Sequence, residues 1–284
     1  MNNLAKKATI LGIIGNIVLF ILKIIVGFVY NSIAVISDAI NSFTDIIASI
    51  IVFISVKVSA KRADKEHPFG HGRAEPIAGL IVAIFIGIVG FEIIKFAFDR
   101  LLEGSSSVKG IVPIIVMGFT LVLKLGMYIY TVRVGKKVNS TAILASAMDH
   151  RNDVLISFAA LIGVGGAYFG YNFLDPLVAL VIGLWIIYVG YRIGMDNIKF
   201  LMGESPSEEL MREIKEVVLK VDGVKGINGV RAHYVGVLLQ VEVHIEVDRK
   251  LTIYRAHTIG KKVQNKLEKL EEISKAFVHI DPVS

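Results

Sequence analysis

Two short stretches of the 284-residue sequence place oxygen-bearing side chains inside runs that are otherwise apolar. One reads Ser37-Asp38-Ala39-Ile40-Asn41-Ser42-Phe43-Thr44-Asp45-Ile46-Ile47-Ala48-Ser49, the other Asp149-His150-Arg151-Asn152-Asp153-Val154-Leu155-Ile156-Ser157. Both follow one pattern: Asn or Asp, three residues, Asp, then Ile or Val, an aliphatic residue, one more and Ser. A helix turns about 100° per residue, so a spacing of four sets Asn41 beside Asp45 on one face and Asp149 beside Asp153 on another. If the two helices face each other, four oxygen donors, three of them carboxylates, converge in a dry interior. Burial and mutual repulsion resist three negative charges there and favour retained protons, whereas a divalent cation removes that cost and expels them. The arrangement is a recipe for exchanging metal against protons. Acids that only pair helices by hydrogen bonding would suit one lone Asp better than two matching pairs. Asp38, near the same face, is read as a further ligand, an entrance group or a partner for a cation such as Lys23. Lys124, Glu92 and Lys95 are read as paired or snorkelling residues.

The elements that must hold these residues are membrane spans. Crossing a hydrocarbon core of roughly 30 Å takes about 20 mostly apolar residues. Six segments qualify: Ile10 to Tyr30, Ile33 to Val58, Pro76 to Phe98, Ile111 to Val132, Ala142 to Phe169 and Leu174 to Ile193. The first is too long for a signal peptide and no small-residue cleavage site follows it. Ionisable groups in such segments are costly enough to be functional candidates by default. Lys6, Lys7, Lys57, Lys61, Arg62, Lys65, Arg73, Arg133, Lys136 and Lys137 lie in one set of flanks, against Arg100 and Lys109 in the other. The positive-inside rule then puts both termini in the cytoplasm; the absence of Cys and the Ile, Lys and Glu usage point to a heat-adapted prokaryote, so the membrane is expected to be a prokaryotic plasma membrane. The net charge of +6 belongs to this topology, so the lipid bilayer is a partner and nucleic acid is not expected to be.

Charge is spread unevenly along the chain. Residues 1–204 hold 18 of the 31 Lys and Arg and 13 of the 25 Asp and Glu, and the last 80 residues hold 13 and 12. The expected organisation is therefore a six-helix transmembrane transport domain over 1–204 and a cytoplasmic domain over 205–284. With no Cys, any metal must be held by Asp, Glu, His, Asn or backbone oxygen. No Gly-rich phosphate loop or nucleophile–base pair is evident, so neither an enzyme nor ATP hydrolysis is expected and no catalytic cofactor is implied.

Between the second and third segments, Asp64, His67 and His71 supply one carboxylate and two imidazoles at short spacing, and Gly70 and Gly72 let the backbone fold back so that they can meet. From residue 205 the pattern is that of a compact α+β domain. Ser207 caps a helix with Leu210, Ile214, Val217 and Val218 at helical spacing. Strands are expected at Val224 to Tyr234 and Val237 to Val247, a helix at Ile253 to Lys269 and a strand at Ser274 to Ile280. Val241, Val243, Ile245 and Val247 alternate with Glu242, His244 and Glu246, which sets His244 on the polar face. Four of the seven histidines, His233, His244, His257 and His279, fall in this tail with Asp281 nearby, which suggests a metal site.

Together these features resemble the cation diffusion facilitator family of divalent-metal/proton antiporters. The resemblance rests on the six segments, the paired ligands in segments 2 and 5, the turn HPFGHGRAE, the junction LMGESPSEE and the histidine-bearing tail. It implies a homodimer with a transport site between helices 2 and 5 and a ferredoxin-like cytoplasmic domain that binds metal and tightens the dimer. By position, the implied transport ligands are Asn41, Asp45, Asp149 and Asp153, the loop site is Asp64, His67 and His71, and the tail sites are His233, His244, His257, His279 and Asp281. Zinc-transporting members usually place His in the quartet, whereas this quartet is one Asn and three Asp, as in the manganese branch. Oxygen-only ligands suit Mn²⁺, with Zn²⁺, Fe²⁺, Co²⁺ and Cd²⁺ as the other candidates. The expectation is a proton-coupled exporter; the competing one is a membrane-anchored metal sensor or passive cation channel.

Overall fold

The computed structural model describes residues 3–59, 61, 63–103, 108, 110–138, 141–236 and 238–283. By its internal contacts the chain divides into two compact units, Met1–Ile50 with Val82–Arg192, and Ile51–Ile81 with Ile193–Ser284. The division falls earlier than the change of composition near residue 204.

Six long helices come first: α1 (Asn3–Tyr30), α2 (Ile33–Ser59), α3 (Ala74–Glu103), α4 (Val112–Val138), α5 (Thr141–Tyr168) and α6 (Leu174–Met202). Five of them, α1 to α4 and α6, are long and apolar enough to cross a membrane. Helix α5, at 28 residues, is as long. It falls outside that set because Asp149, His150, Arg151, Asn152 and Asp153 fill nearly a turn and a half with polar groups. It is positioned by packing along α4, which in turn packs on α1.

The distribution of side chains is that of a protein solvated by lipid. Ile14, Val18, Ile25 and Phe28 on α1 and Phe53 and Ile54 on α2 are exposed, while Lys23, Asp38, Asn41, Ser42, Thr44, Lys124, His150, Asp153 and Ser157 are buried. Apolar groups outward and polar groups inward would be unstable in water; in a bilayer the interior is where ionisable groups find partners. The chain is an integral membrane protein. Helix α6 runs past the expected Ile193 to Met202, where Gly203 ends it at φ +77 and the Glu204 amide donates to the Lys199 carbonyl.

The tail is a ferredoxin-like α+β layer: α7 (Glu208–Leu219), β1 (Gly226–Val235), β2 (Leu238–Asp248), α8 (Ile253–Leu267) and β3 (Ile273–Val283). Ser207 Oγ accepts from the Leu210 amide, the expected cap. The sheet order is β1-β2-β3, with β1 antiparallel and β3 parallel to the central β2. Val241, Val243, Ile245 and Val247 are buried against Ile214, Val218, Val263 and Leu267 from the two helices. The other face of β2 keeps Glu242, His244 and Glu246 in reach of solvent. The β1–β2 turn lies so close to the α2–α3 loop that a Cβ on Gly72 would sit 2.8 Å from the Val235 carbonyl oxygen. Gly236 is equally constrained, at φ +72 against the Gly72 backbone.

Candidate metal centre

The facing of α2 and α5 brings Asn41 and Asp153 together: Asn41 Nδ2 donates to Asp153 Oδ1 at 3.3 Å, and both are buried. Their helical partners stay more open, Asp45 partly exposed and Asp149 exposed. The four do not close into one tight group. Among the described residues, groups of three ligands within 4.8 Å occur in the loop and in the tail, and the quartet is not one of them. Two buried lysines lie among these groups, and one of them, Lys124, pairs with a member of the quartet. Lys124 Nζ on α4 lies 2.5 Å from Asp153 Oδ2 and 2.7 Å from Asn16 Oδ1 on α1. Lys23 Nζ lies 3.0 Å from Asp38 Oδ2, and donates to the Asp38 carbonyl at 3.0 Å and to Ser42 Oγ at 2.7 Å. The interior therefore carries lysine charge against its carboxylates, as burial requires.

Of the open readings of Asp38, the structure takes the Lys23 partner, and Ser157 Oγ adds a hydrogen bond to the Asp38 carboxylate at 3.2 Å. The two serines of the repeated pattern do different work. Ser49 Oγ returns to the Asp45 carbonyl on its own helix, whereas Ser157 crosses from α5 to α2. His150, adjacent to Asp149, is buried with Nδ1 3.8 Å from Asp153 Oδ2. Its ring turns into the interior, a placement that spacing along α5 does not reveal.

In the loop, Asp64, His67 and His71 come together as one group of candidate ligands. The Asp64 carboxylate accepts from the His67 amide at 2.7 Å and the Glu66 amide at 3.0 Å, which folds the turn, and Gly70 takes φ +86 within it. His71 Nε2 stands 3.4 Å from Asp64 Oδ2, and the two imidazole rings are 4.5 Å apart. The His67 amide, more than any other group, holds the Asp64 carboxyl below its ordinary pKa.

In the tail, parallel pairing sets His244 opposite His279, with ring centroids 4.7 Å apart. Asp281 reaches both, at 3.7 Å from His244 Nδ1 and 3.2 Å from His279 Nε2. His233 and His257 do not join that group. His233 pairs with Gln240, four residues from His244 along the polar face, and His257 lies exposed on α8, which covers the opposite face. The single cluster of four histidines suggested by composition is thus one group of two histidines and Asp281 within a chain.

The family model for the cation efflux transmembrane domain matches residues 9–202, and that for the cation efflux protein cytoplasmic domain matches 206–283. An uncharacterized transporter of Methanocaldococcus jannaschii is 38% identical over 98% of each chain. The manganese efflux system proteins MneP and MneS of Bacillus subtilis are 32% and 30% identical, over 98% of this chain and 96% of theirs.

Proposed function

This chain belongs to the cation efflux family of divalent-metal transporters, and from that premise we propose that it is a proton-coupled exporter with manganese as its preferred cargo. The observation that carries the reading is the meeting of Asn41 and Asp153 between α2 and α5 in a buried polar interior. Asp45 and Asp149 lie one turn away on the same helices. In this reading Asn41, Asp45, Asp149 and Asp153 are the ligands of the transported ion. Metal entering displaces protons from the carboxylates, because ligands bind in their deprotonated form. Rocking of the helices around the site then exposes it to the opposite side, where protons reverse the exchange. The all-oxygen donor set favours a hard cation, and two relatives are manganese efflux proteins.

Both termini are cytoplasmic in this reading and the membrane is a prokaryotic plasma membrane. Asp64, His67 and His71 form a loop site, and His244, His279 and Asp281 a tail site whose metal tightens a homodimer. His233 and His257, which stand apart from that group within one chain, are the remaining tail ligands. In proteoliposomes, Asp45→Ala or Asp153→Ala abolishes metal-driven proton flux; retained flux refutes the assignment.

A further inference from the structure

The proposed transport site already contains a cation of its own. Lys124 enters from α4, is fully buried, and places Nζ 2.5 Å from Asp153 Oδ2. The other oxygen of Asp153 accepts from Asn41 Nδ2. Both oxygens of the most buried carboxylate of the quartet are thus engaged by donors. A metal ion binds a carboxylate through the same lone pairs that an ammonium uses. A divalent ion and an ammonium crowded onto one oxygen repel each other strongly in a low-dielectric interior. Metal therefore reaches Asp153 Oδ2 only as Lys124 withdraws.

The fold provides for that withdrawal. Asn16 Oδ1 on α1 lies 2.7 Å from the same Nζ, on a helix that packs against α4. The ammonium keeps this acceptor when it leaves the carboxylate, so displacement does not strand a buried charge with no hydrogen bond. Lys23 makes the contrast. Its three partner atoms all belong to Asp38 and Ser42, and it touches none of the four proposed ligands.

We propose that Lys124 is a tethered counter-ion of the transport site, holding Asp153 when no metal is bound and competing with each incoming ion. It thereby lowers metal affinity and speeds metal release. The inference rests on the reading of the quartet as the transport site. Lys124 is a positioning residue, acting on the metal through Asp153. An occupant present about nine-tenths of the time raises the apparent Kd about tenfold, since only the remaining fraction is competent to bind.

The test uses the full chain. Mn²⁺ binding in detergent is measured by equilibrium dialysis, the quartet's share being the part that Asp45→Ala removes, and KM and kcat are measured in proteoliposomes. Lys124→Met is expected to tighten that share by about tenfold and to lower KM and kcat together. Lys124→Arg, which keeps the charge, returns Kd to within about threefold of native. Asn16→Leu, which leaves the ammonium only Asp153, weakens binding. A lysine that merely staples α4 to α5 predicts the opposite sign for Lys124→Met: weaker binding with a raised KM. Lys124→Gln, which also removes the charge, carries the test if the Met variant does not fold. Unchanged or weaker Mn²⁺ binding on removal of the charge overturns the inference. Mn²⁺ binding untouched by Asp45→Ala instead overturns the transport-site reading, and the inference with it.

Discussion

Asp175, in the first turn of α6, closes the N-terminal end of α2. Its carboxylate accepts from the Ile33 amide at 2.7 Å, the Ala34 amide at 3.4 Å and Ser32 Oγ at 2.5 Å, and Ser32 Oγ in turn accepts from the Val35 amide at 3.3 Å. The first amides of a helix have no partner within it. Here they are satisfied by a residue 142 positions away, only 3% exposed, with its charge at the positive end of the α2 dipole. Asp175→Ala leaves the Ile33 amide and the Ser32 hydroxyl without an acceptor and removes the weaker Ala34 bond. At about 1–3 kcal/mol for each buried group left unsatisfied, the loss is about 3–5 kcal/mol. For a body of this size 1 kcal/mol shifts Tm by about 2–4 °C, so a fall of about 10 °C is expected. Asp175→Asn keeps one carbonyl oxygen and falls by about half as much. The assay is thermal unfolding in detergent, followed by fluorescence of the single tryptophan, Trp185 on α6. A fall below about 2 °C in the Ala variant would refute the capping argument.

Three further outcomes follow from particular contacts. Lys23→Met leaves the Asp38 carboxylate buried without its cation and costs about 3–5 kcal/mol, read in the same assay; the double variant Lys23→Met with Asp38→Leu recovers most of that, and a single variant as stable as native contradicts the pairing. His279→Ala takes one imidazole from the group it forms with His244 and Asp281, so metal-dependent dimer stability falls while proteoliposome transport continues; lost transport would count against a separate tail site. The lowered pKa of Asp64 makes its contribution to the loop complete above the ordinary carboxylate value of about 3.9 and lost only as pH falls through the lower folded value. Carbon-13 NMR of the labelled carboxylate checks the sign, a midpoint above 3.9 being the contrary result.

What was legible in the sequence divides along physical lines. Local chemistry reads well: Ser207 caps α7, and the alternation of Val241, Val243, Ile245 and Val247 buries one face of β2. The spacing of Asn41 with Asp45 and of Asp149 with Asp153 places each pair on one helical face, because helical period is a property of the segment itself. Relations between segments are less visible. That Lys124 sits in an apolar run marks it as costly, but its partners Asp153 and Asn16 are on two other helices. His244, His279 and Asp281 meet because β3 pairs parallel with β2 in one register, while the antiparallel register of β1 on β2 sets His233 opposite Gln240, four residues from His244. No spacing within one strand carries that information. The close approach of Gly72 to Gly236 likewise joins a loop to a turn more than a hundred residues along the chain.

The central claim is that the quartet between α2 and α5 exchanges divalent metal for protons. The most direct measurement is metal-driven pH change in proteoliposomes with Mn²⁺ and Zn²⁺ in parallel, comparing the native chain, Asp45→Ala and Asn41→His. Proton flux driven by Mn²⁺, its loss in Asp45→Ala, and a shift toward Zn²⁺ in Asn41→His as an imidazole enters the donor set are the expected results. Metal uptake with no accompanying proton flux, or full flux in Asp45→Ala, would contradict the claim.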